Sequence, residues 1–448
     1  MKSLLTVLLA ATLPVPAPAA HTLDWHVCGK ALDAQCATLK VPIDWSRPGG
    51  VTLDLEVARR PARDQDHKVG TLVFGPGGPW DPGVYRVADG SSRFSDTQLD
   101  RFDIVSFDPR GSNTSRPLVT CDRAAAGPAP GPVLTSQADF EETFDYNRRL
   151  WKTCAELTGD LWNHASMLDN VRDVEALRIA LGVPTISFHG SSYGTLLGEQ
   201  YAERYPGRVR AMVLESVDDH SVPTTSAFLT SQAAAFEDAF DDFADWCDAT
   251  ESCSLNPRGG ARTVWHRLIA TRDHFDLDAV LLVRLRDAAY ADLANDLAAV
   301  DGGGPLRHVT DLGVVIPTFC SDWSLPVRDY DEYAAFLRRS AAVAPDTGYP
   351  AQVFALTMCL GWPNVANPQH VLDVRTRTPI LLVNSRHDPA TGLNWARAVE
   401  RQLGRHGVLV TYQGAGHGAY GKSKCIQRKA DDYLVSRRVP VVTTCPIA

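Results

Sequence analysis

The sequence predicts an α/β fold, a mainly parallel central sheet interrupted by an inserted, mostly helical cap. Three observations predict it. Short apolar runs end abruptly in glycine- and proline-rich loops, these runs alternate with helical stretches, and a long helical texture over residues 219–372 separates the early runs from the late ones. At 448 residues the chain exceeds one core of usual size and suits a large domain with a substantial insertion. The expected organisation is a targeting segment over 1–20, the first part of the α/β domain over 21–218, the cap over 219–372, and the rest of the α/β domain with a cysteine-closed tail over 373–448.

In chain order, Met1-Lys2 supplies a positive charge, Leu4 to Leu13 an apolar stretch, and Ala17-Pro18-Ala19 a small-residue cleavage site. That pattern is a secretory signal cut near Ala19 or Ala20, too short for a membrane span. Val51-Thr-Leu-Asp-Leu-Glu-Val57 alternates as a half-buried strand does. Thr71-Leu-Val-Phe74 runs into Gly75-Pro-Gly-Gly-Pro79, and Ile104-Val-Ser-Phe107 into Asp108-Pro-Arg-Gly111, as buried parallel strands do. Residues 122–136 read as an irregular surface loop. From Asp169 the spacing of Val171, Val174, Leu177 and Leu181 predicts a helix ending at Gly182-Val-Pro184. Strand Ile186-Ser-Phe188, turn Gly190-Ser-Ser-Tyr-Gly194, helix Thr195 to Tyr205 and strand Val209 to Leu214 follow. In the cap, Phe236, Phe240, Phe243 and Trp246 share one helical face, leaving Glu237, Asp238, Asp241, Asp242 and Asp245 as a solvated one. Strand Pro379 to Val383, a helix from Trp395 to Leu403 and strand Val408 to Tyr412 complete the sheet.

Composition excludes several functions. With 44 Lys plus Arg against 53 Asp plus Glu, a net charge of -9 and no basic run, a nucleic-acid partner is not expected. No later segment is apolar enough to span a bilayer, so the mature chain is expected to be secreted, away from the membrane, and a monomer. Ten cysteines lack C-x-x-C or zinc-ligand spacing, so no metal and no cofactor is expected and the thiols read as disulfides of an oxidising compartment. Ten cysteines allow about 945 pairings, and nearest-neighbour pairing is the simplest of them. It gives Cys28–Cys36, Cys121–Cys154, Cys247–Cys253, Cys320–Cys359 and Cys425–Cys445.

The chemistry gathers on one constellation. Gly190-Ser-Ser-Tyr-Gly194 fits G-x-S-x-G with a strand before it and a helix behind, the setting of a nucleophile on a tight turn, which makes Ser192 the candidate. A serine hydroxyl needs a base, and the base needs an orienting acid. In such a sheet the order is Ser, acid, His, and Asp388 and His417 each follow a late strand. Alone, Asp388 reads as a loop-capping carboxylate and His417 as a turn histidine; in order and in context the three are far more specific. The oxyanion donors are expected from the Tyr193 N–H and from Gly77 or Gly78 in the early Gly/Pro loop, where Pro76 and Pro79 have no N–H to give.

These pieces resemble the α/β-hydrolase superfamily and, within it, the secreted tripeptidyl aminopeptidases and proline iminopeptidase-like hydrolases of actinobacteria. The resemblance rests on Val41-Pro-Ile-Asp-Trp45, Gly75 to Pro79, Asp108 to Gly111, Gly190 to Thr195, Thr378 to Val383 with Asp388-Pro389, and Gly414-Ala-Gly-His417, spread over most of the chain. It implies an α/β-hydrolase fold and serine exopeptidase chemistry at free N-termini, with the cap closing the far end of the cleft.

Two departures bear on substrate: Trp80-Asp-Pro82 follows the oxyanion loop where the family has Gly and a small residue, and Ser112-Asn113 follows the Asp108–Gly111 loop. Trp80 is thus a candidate wall of the acyl pocket. Glu215 and Asp322 are candidate carboxylates for a charged amine, each with an ordinary structural reading as well. The first functional expectation is a secreted serine aminopeptidase. The alternative is an esterase or other acyl hydrolase acting on a small-molecule acyl substrate; an epoxide hydrolase is disfavoured because its chemistry wants a carboxylate at the elbow.

Overall fold

The computed structural model describes residues 23–89, 93–306 and 316–447. The expected signal segment and its cleavage site near Ala19 or Ala20 lie outside the described residues. The strands are β1 (His26–Val27), β2 (Gln35–Pro42), β3 (Thr52–Arg60), β4 (Gly70–Gly75), β5 (Phe102–Phe107), β6 (Ile186–Ser191), β7 (Val209–Glu215), β8 (Ile380–His387), β9 (Gly407–Ala415) and β10 (Thr444–Cys445). They form one sheet in the order β1-β2-β3-β5-β4-β6-β7-β8-β9-β10. The β1-β2-β3-β5 pairings are antiparallel. From β5 through β10 every pairing is parallel.

The central strands read as unbroken apolar runs because both faces of the sheet are covered. Val73, Phe188, Met212, Leu214, Ile380 and Leu382 point into one core. Their neighbours Leu72, Phe74, Ala211, Val213, Leu381 and Val383 point into the other. The helix Thr225–Ala249 opens the inserted region and, with Ala261–Ile269, His274–Asp287 and Tyr290–Asp301, builds a third core in which Phe236, Phe240 and Phe243 meet Trp265 and Leu281. At its junction with the sheet domain Trp323 is stacked between Phe319 and Trp395.

Some elements depart from expectation. Glu237, placed by sequence on the solvated face, is buried because the loop at Asp346 covers it; its carboxylate accepts from the backbone of Asp346 and Thr347 and from the Thr347 hydroxyl. Residues 122–136 include a short helix, Arg123–Ala126, capped by the Asp122 carboxylate. Strand β2 and the 22-residue helix Gln137–Thr158 are additions to the sequence reading. The alternation of Ala37, Leu39 and Val41 with Thr38 and Lys40 was a signal for the first. The helix carries its buried face on Phe140, Tyr146, Leu150 and Trp151 and mixes it with Thr143 and Asn147, which blurs the apolar period.

Cys28–Cys36, Cys121–Cys154, Cys247–Cys253, Cys320–Cys359 and Cys425–Cys445 are disulfide-bonded. No helix among the described residues is long and apolar enough to cross a membrane.

Candidate active site

Three strands deliver the candidate residues to one edge of the sheet. Strand β6 ends at Ser191, and Ser192 then adopts φ 56 and ψ -128 before the helix Tyr193–Arg204 begins. A positive φ is costly for serine and persists only where surroundings fix it. Here the Ser192 N–H donates to the Glu215 carbonyl at 2.9 Å, and the Ser192 carbonyl accepts from the Thr195 N–H at 2.7 Å. The flanking glycines are sterically required: a Cβ on Gly190 would lie 2.4 Å from the Gly194 oxygen, and one on Gly194 would lie 2.2 Å from the Gly75 oxygen.

Asp388 follows β8 and His417 follows β9. His417 Nδ1 lies 3.0 Å from both carboxylate oxygens of Asp388. Asp388 also accepts from the Ser216 hydroxyl at 2.7 Å and from the Ala390 and Thr391 N–H groups at 3.0 and 3.1 Å. Its burial would raise its pKa, but the facing His417 charge and these hydrogen bonds outweigh burial and hold the carboxyl below its ordinary value. The His417 loop is pinned in turn, with Gly416 N–H on the His387 carbonyl at 3.0 Å and His417 N–H on the Arg286 carbonyl at 2.9 Å. With Nδ1–H committed to Asp388, Nε2 is the ring's free acceptor; it is buried and has no hydrogen-bond partner among the described residues.

Ser192, His417, Gly77 and Gly78 line one cavity of about 240 Å³. Gly77 is packed onto the serine, since a Cβ there would lie 3.1 Å from Ser192 Cβ and 3.7 Å from its Oγ. Tyr193, whose N–H is the other expected donor, is the first residue of the helix, where backbone N–H groups have no intrahelical acceptor.

The three candidate substrate residues lie elsewhere. Trp80 is buried, and its indole N–H donates to Thr318 Oγ1 at 2.9 Å, tying the chain just after the Gly75–Pro79 loop to the inserted helix Ile316–Asp322. Glu215 is fully buried beneath the elbow, ion-paired with Arg93 and accepting from the Tyr420 N–H at 3.0 Å. Asp322 is fully buried too; it accepts from the Tyr193 hydroxyl, the Met167 N–H and the Asn367 amide at 2.8, 2.8 and 3.0 Å. None of the three lines the cavity at Ser192.

Ser216 is a site residue that sequence reasoning missed. It holds φ 54, donates to Asp388 and accepts from the Gly418 N–H at 2.7 Å, so it links the acid to the histidine loop. Nothing around it in the sequence marks it, because its role arises only where β7 meets β8. The Asp108–Gly111 loop has a supporting role: buried Arg110 is bidentate to Asp173 at 2.6 and 2.8 Å and also holds the Ile43, Pro42 and His164 carbonyls.

Comparison with known proteins follows the same lines. Residues 72–256 match the family described as alpha/beta hydrolase fold, and residues 349–445 match the TAP-like protein family. The chain is 30% identical to Serine protease Hip1 of Mycobacterium tuberculosis, with 91% of this chain and 86% of that protein covered. It is 28% identical to the Tripeptidyl aminopeptidase of Streptomyces lividans, over 95% of this chain and 87% of that one. A Carboxylesterase B of Mycobacterium tuberculosis is 29% identical, over 95% and 90%.

Proposed function

The chain belongs to the α/β-hydrolase family of serine hydrolases, and from that premise we propose that it is a secreted serine exopeptidase cleaving peptides from a free N-terminus. The observation that carries the catalytic part is the shared cavity: Ser192 on its positive-φ turn faces the same space as His417, whose far nitrogen is bound to buried Asp388. The names of the serine protease and tripeptidyl aminopeptidase relatives support a peptide substrate. The five disulfides are consistent with export.

In the proposed mechanism Ser192 Oγ attacks the scissile carbonyl as His417 Nε2 takes the hydroxyl proton. Asp388 holds the imidazole tautomer and balances its positive charge. The oxyanion forms against the Tyr193 N–H and the Gly77 or Gly78 N–H, each such donor being worth about 2.7–4 kcal/mol in the transition state. His417 passes its proton to the leaving amine, and water then cleaves the acyl-enzyme by the same groups in reverse.

An esterase is the second reading, favoured by the Carboxylesterase B relative. Three substrates separate the two: a fluorogenic tripeptide with a free amine, the same peptide N-acetylated, and an aryl ester, each run beside Ser192→Ala. The expected result is cleavage of the free-amine peptide, with turnover lowered by about 10⁶-fold in the variant. Ester cleavage with neither peptide touched establishes the esterase, and undiminished activity in Ser192→Ala ends the serine mechanism.

A further inference from the structure

The cavity beside Ser192 is lined by more cations than anions, which suits a part of the substrate other than its charged amine. Among the described residues its walls carry Arg86, Arg93 and Arg286 against one carboxylate, Asp81. Two of the arginines are neutralised by the protein. Arg86 binds Asp81 through contacts of 2.7, 3.0 and 3.2 Å. Arg93 lies over the Phe74 ring, 5.0 Å from its centroid, and is ion-paired with buried Glu215. Burial pushes its pKa down to about 10, which leaves it charged at neutral pH. Its Nε is buried without a hydrogen-bond partner among the described residues.

Arg286 differs. It is exposed, lines the cavity, and its guanidinium has neither an ion-pair partner nor a hydrogen bond among the described residues. Its backbone is fixed to the catalytic apparatus, because the Arg286 carbonyl accepts the His417 N–H at 2.9 Å. The close approach is enforced by Gly416, where a Cβ would lie 2.9 Å from that same carbonyl oxygen. One residue of the inserted helix His274–Asp287 is therefore held against the candidate base, and it lines the cavity beside Ser192 with no ion-pair partner among the described residues.

We propose that Arg286 forms a carboxylate-binding subsite adjoining Ser192, so that the preferred substrate carries a carboxylate next to the scissile bond. A guanidinium offers a planar pair of donors that matches a carboxylate, and in a cavity partly shielded from water such a pair is stronger than on an open surface. The carboxylate comes from one of two sources, the free C-terminus of a short peptide or an acidic side chain flanking the cleaved bond. This rests on the reading of Ser192 as nucleophile.

The test measures kcat/KM on three matched pairs with the purified chain. A short peptide as C-terminal acid and as C-terminal amide reads the first source; the same peptide with Glu or Gln beside the scissile bond reads the second. An aryl half-ester of a dicarboxylic acid against the monocarboxylic aryl ester of equal length reads the subsite even where no peptide is cleaved. In the parent chain at least one pair is expected to favour the carboxylate by about ten- to a hundredfold. Arg286→Ala brings that ratio close to one, Arg286→Lys retains part of it, and Arg286→Glu inverts it. A helix-terminal arginine with a merely structural part alters stability and leaves the ratio where it was. Ratios near one for all three pairs, or a ratio unmoved by the Arg286 variants, overturn the subsite. Labelling with a fluorophosphonate keeps the two failures apart: Ser192 labelled with ratios of one sinks the subsite alone, and Ser192 unlabelled sinks the serine reading beneath it.

Discussion

Asp388 at the end of β8 and Asp322 at the end of the inserted helix Ile316–Asp322 are both removed from water, yet their acidities move in opposite directions. Asp388 is held below its ordinary value, whereas Asp322 is pushed up to about 7. Burial is the largest influence on each and raises both. What separates them is the company: Asp388 faces an imidazole that can carry positive charge, while the donors to Asp322 among the described residues are neutral, the Asn367 amide, the Met167 N–H and the Tyr193 hydroxyl. Hydrogen bonds alone only partly offset the loss of water; a facing cation reverses it. One carboxylate is thereby kept ionised to support a charged histidine. The other serves as a post that ties the inserted region to the residue following Ser192.

The largest expected effect breaks the first half of that comparison. Asp388→Asn keeps the shape but presents an amide N–H to Nδ1, favouring the tautomer with its proton on Nε2, where Ser192 needs an acceptor. A fall in kcat of about 10⁴-fold is expected, with little change in the folded spectrum. A loss under tenfold contradicts the role assigned to the Asp388–His417 pair.

Next in size is the removal of the post. Asp322→Ala strands the Tyr193 hydroxyl, the Met167 N–H and the Asn367 amide in a buried site, at a cost of about 2–4 kcal/mol of stability. Denaturant unfolding measures it. Because Asp322 does not line the cavity, the loss is expected in stability well before chemistry. A variant as stable as the parent but catalytically dead reverses that order and makes Asp322 part of the reaction.

The same contrast explains what the sequence disclosed. The positions of Ser192, Asp388 and His417 were legible because each lies within two residues of the end of a strand of the parallel sheet, and Ser192 lies in a turn whose glycines, Gly190 and Gly194, have a local steric cause. The α/β-hydrolase architecture was legible for a related reason: strands buried on both faces leave continuous apolar runs. The partners of Trp80, Glu215 and Asp322 were not legible. Trp80 meets Thr318, 238 residues away, and Asp322 meets Tyr193, 129 away; no local pattern encodes either encounter. The same holds for Arg286, an unremarkable helix-end arginine until the His417 loop is laid against its carbonyl. Glu237 was misplaced because its helical face predicts solvent, while a loop from 109 residues onward covers it.

The smallest effect at any one pH step is also the sharpest test of the comparison, since it concerns one proton. Asp322 ionises near 7 in the folded chain and near 3.8 as an ordinary carboxyl, so between those values the folded state holds a proton that the unfolded state has released. Its contribution to stability is therefore present at low pH, declines as pH rises toward 7, and changes no further above it. Asp218, raised to about 7 by its burial and by the neighbouring Asp388 and Asp219 charges, acts in the same sense, while Asp388 acts in the opposite one and favours the folded state above its unfolded pKa. The whole-protein profile is thus a sum, and a variant isolates the term. Asp322→Asn keeps the side chain neutral at every pH; relative to it, the parent is expected to lose up to about 1.4 kcal/mol per pH unit across that window and to run parallel to it above 7. Unfolding curves at pH 5, 6, 7 and 8 supply the measurement. Parallel profiles from pH 5 to 7 would place Asp322 with Asp388, as a carboxylate already ionised, and would require beside it a facing cation such as Asp388 has in His417.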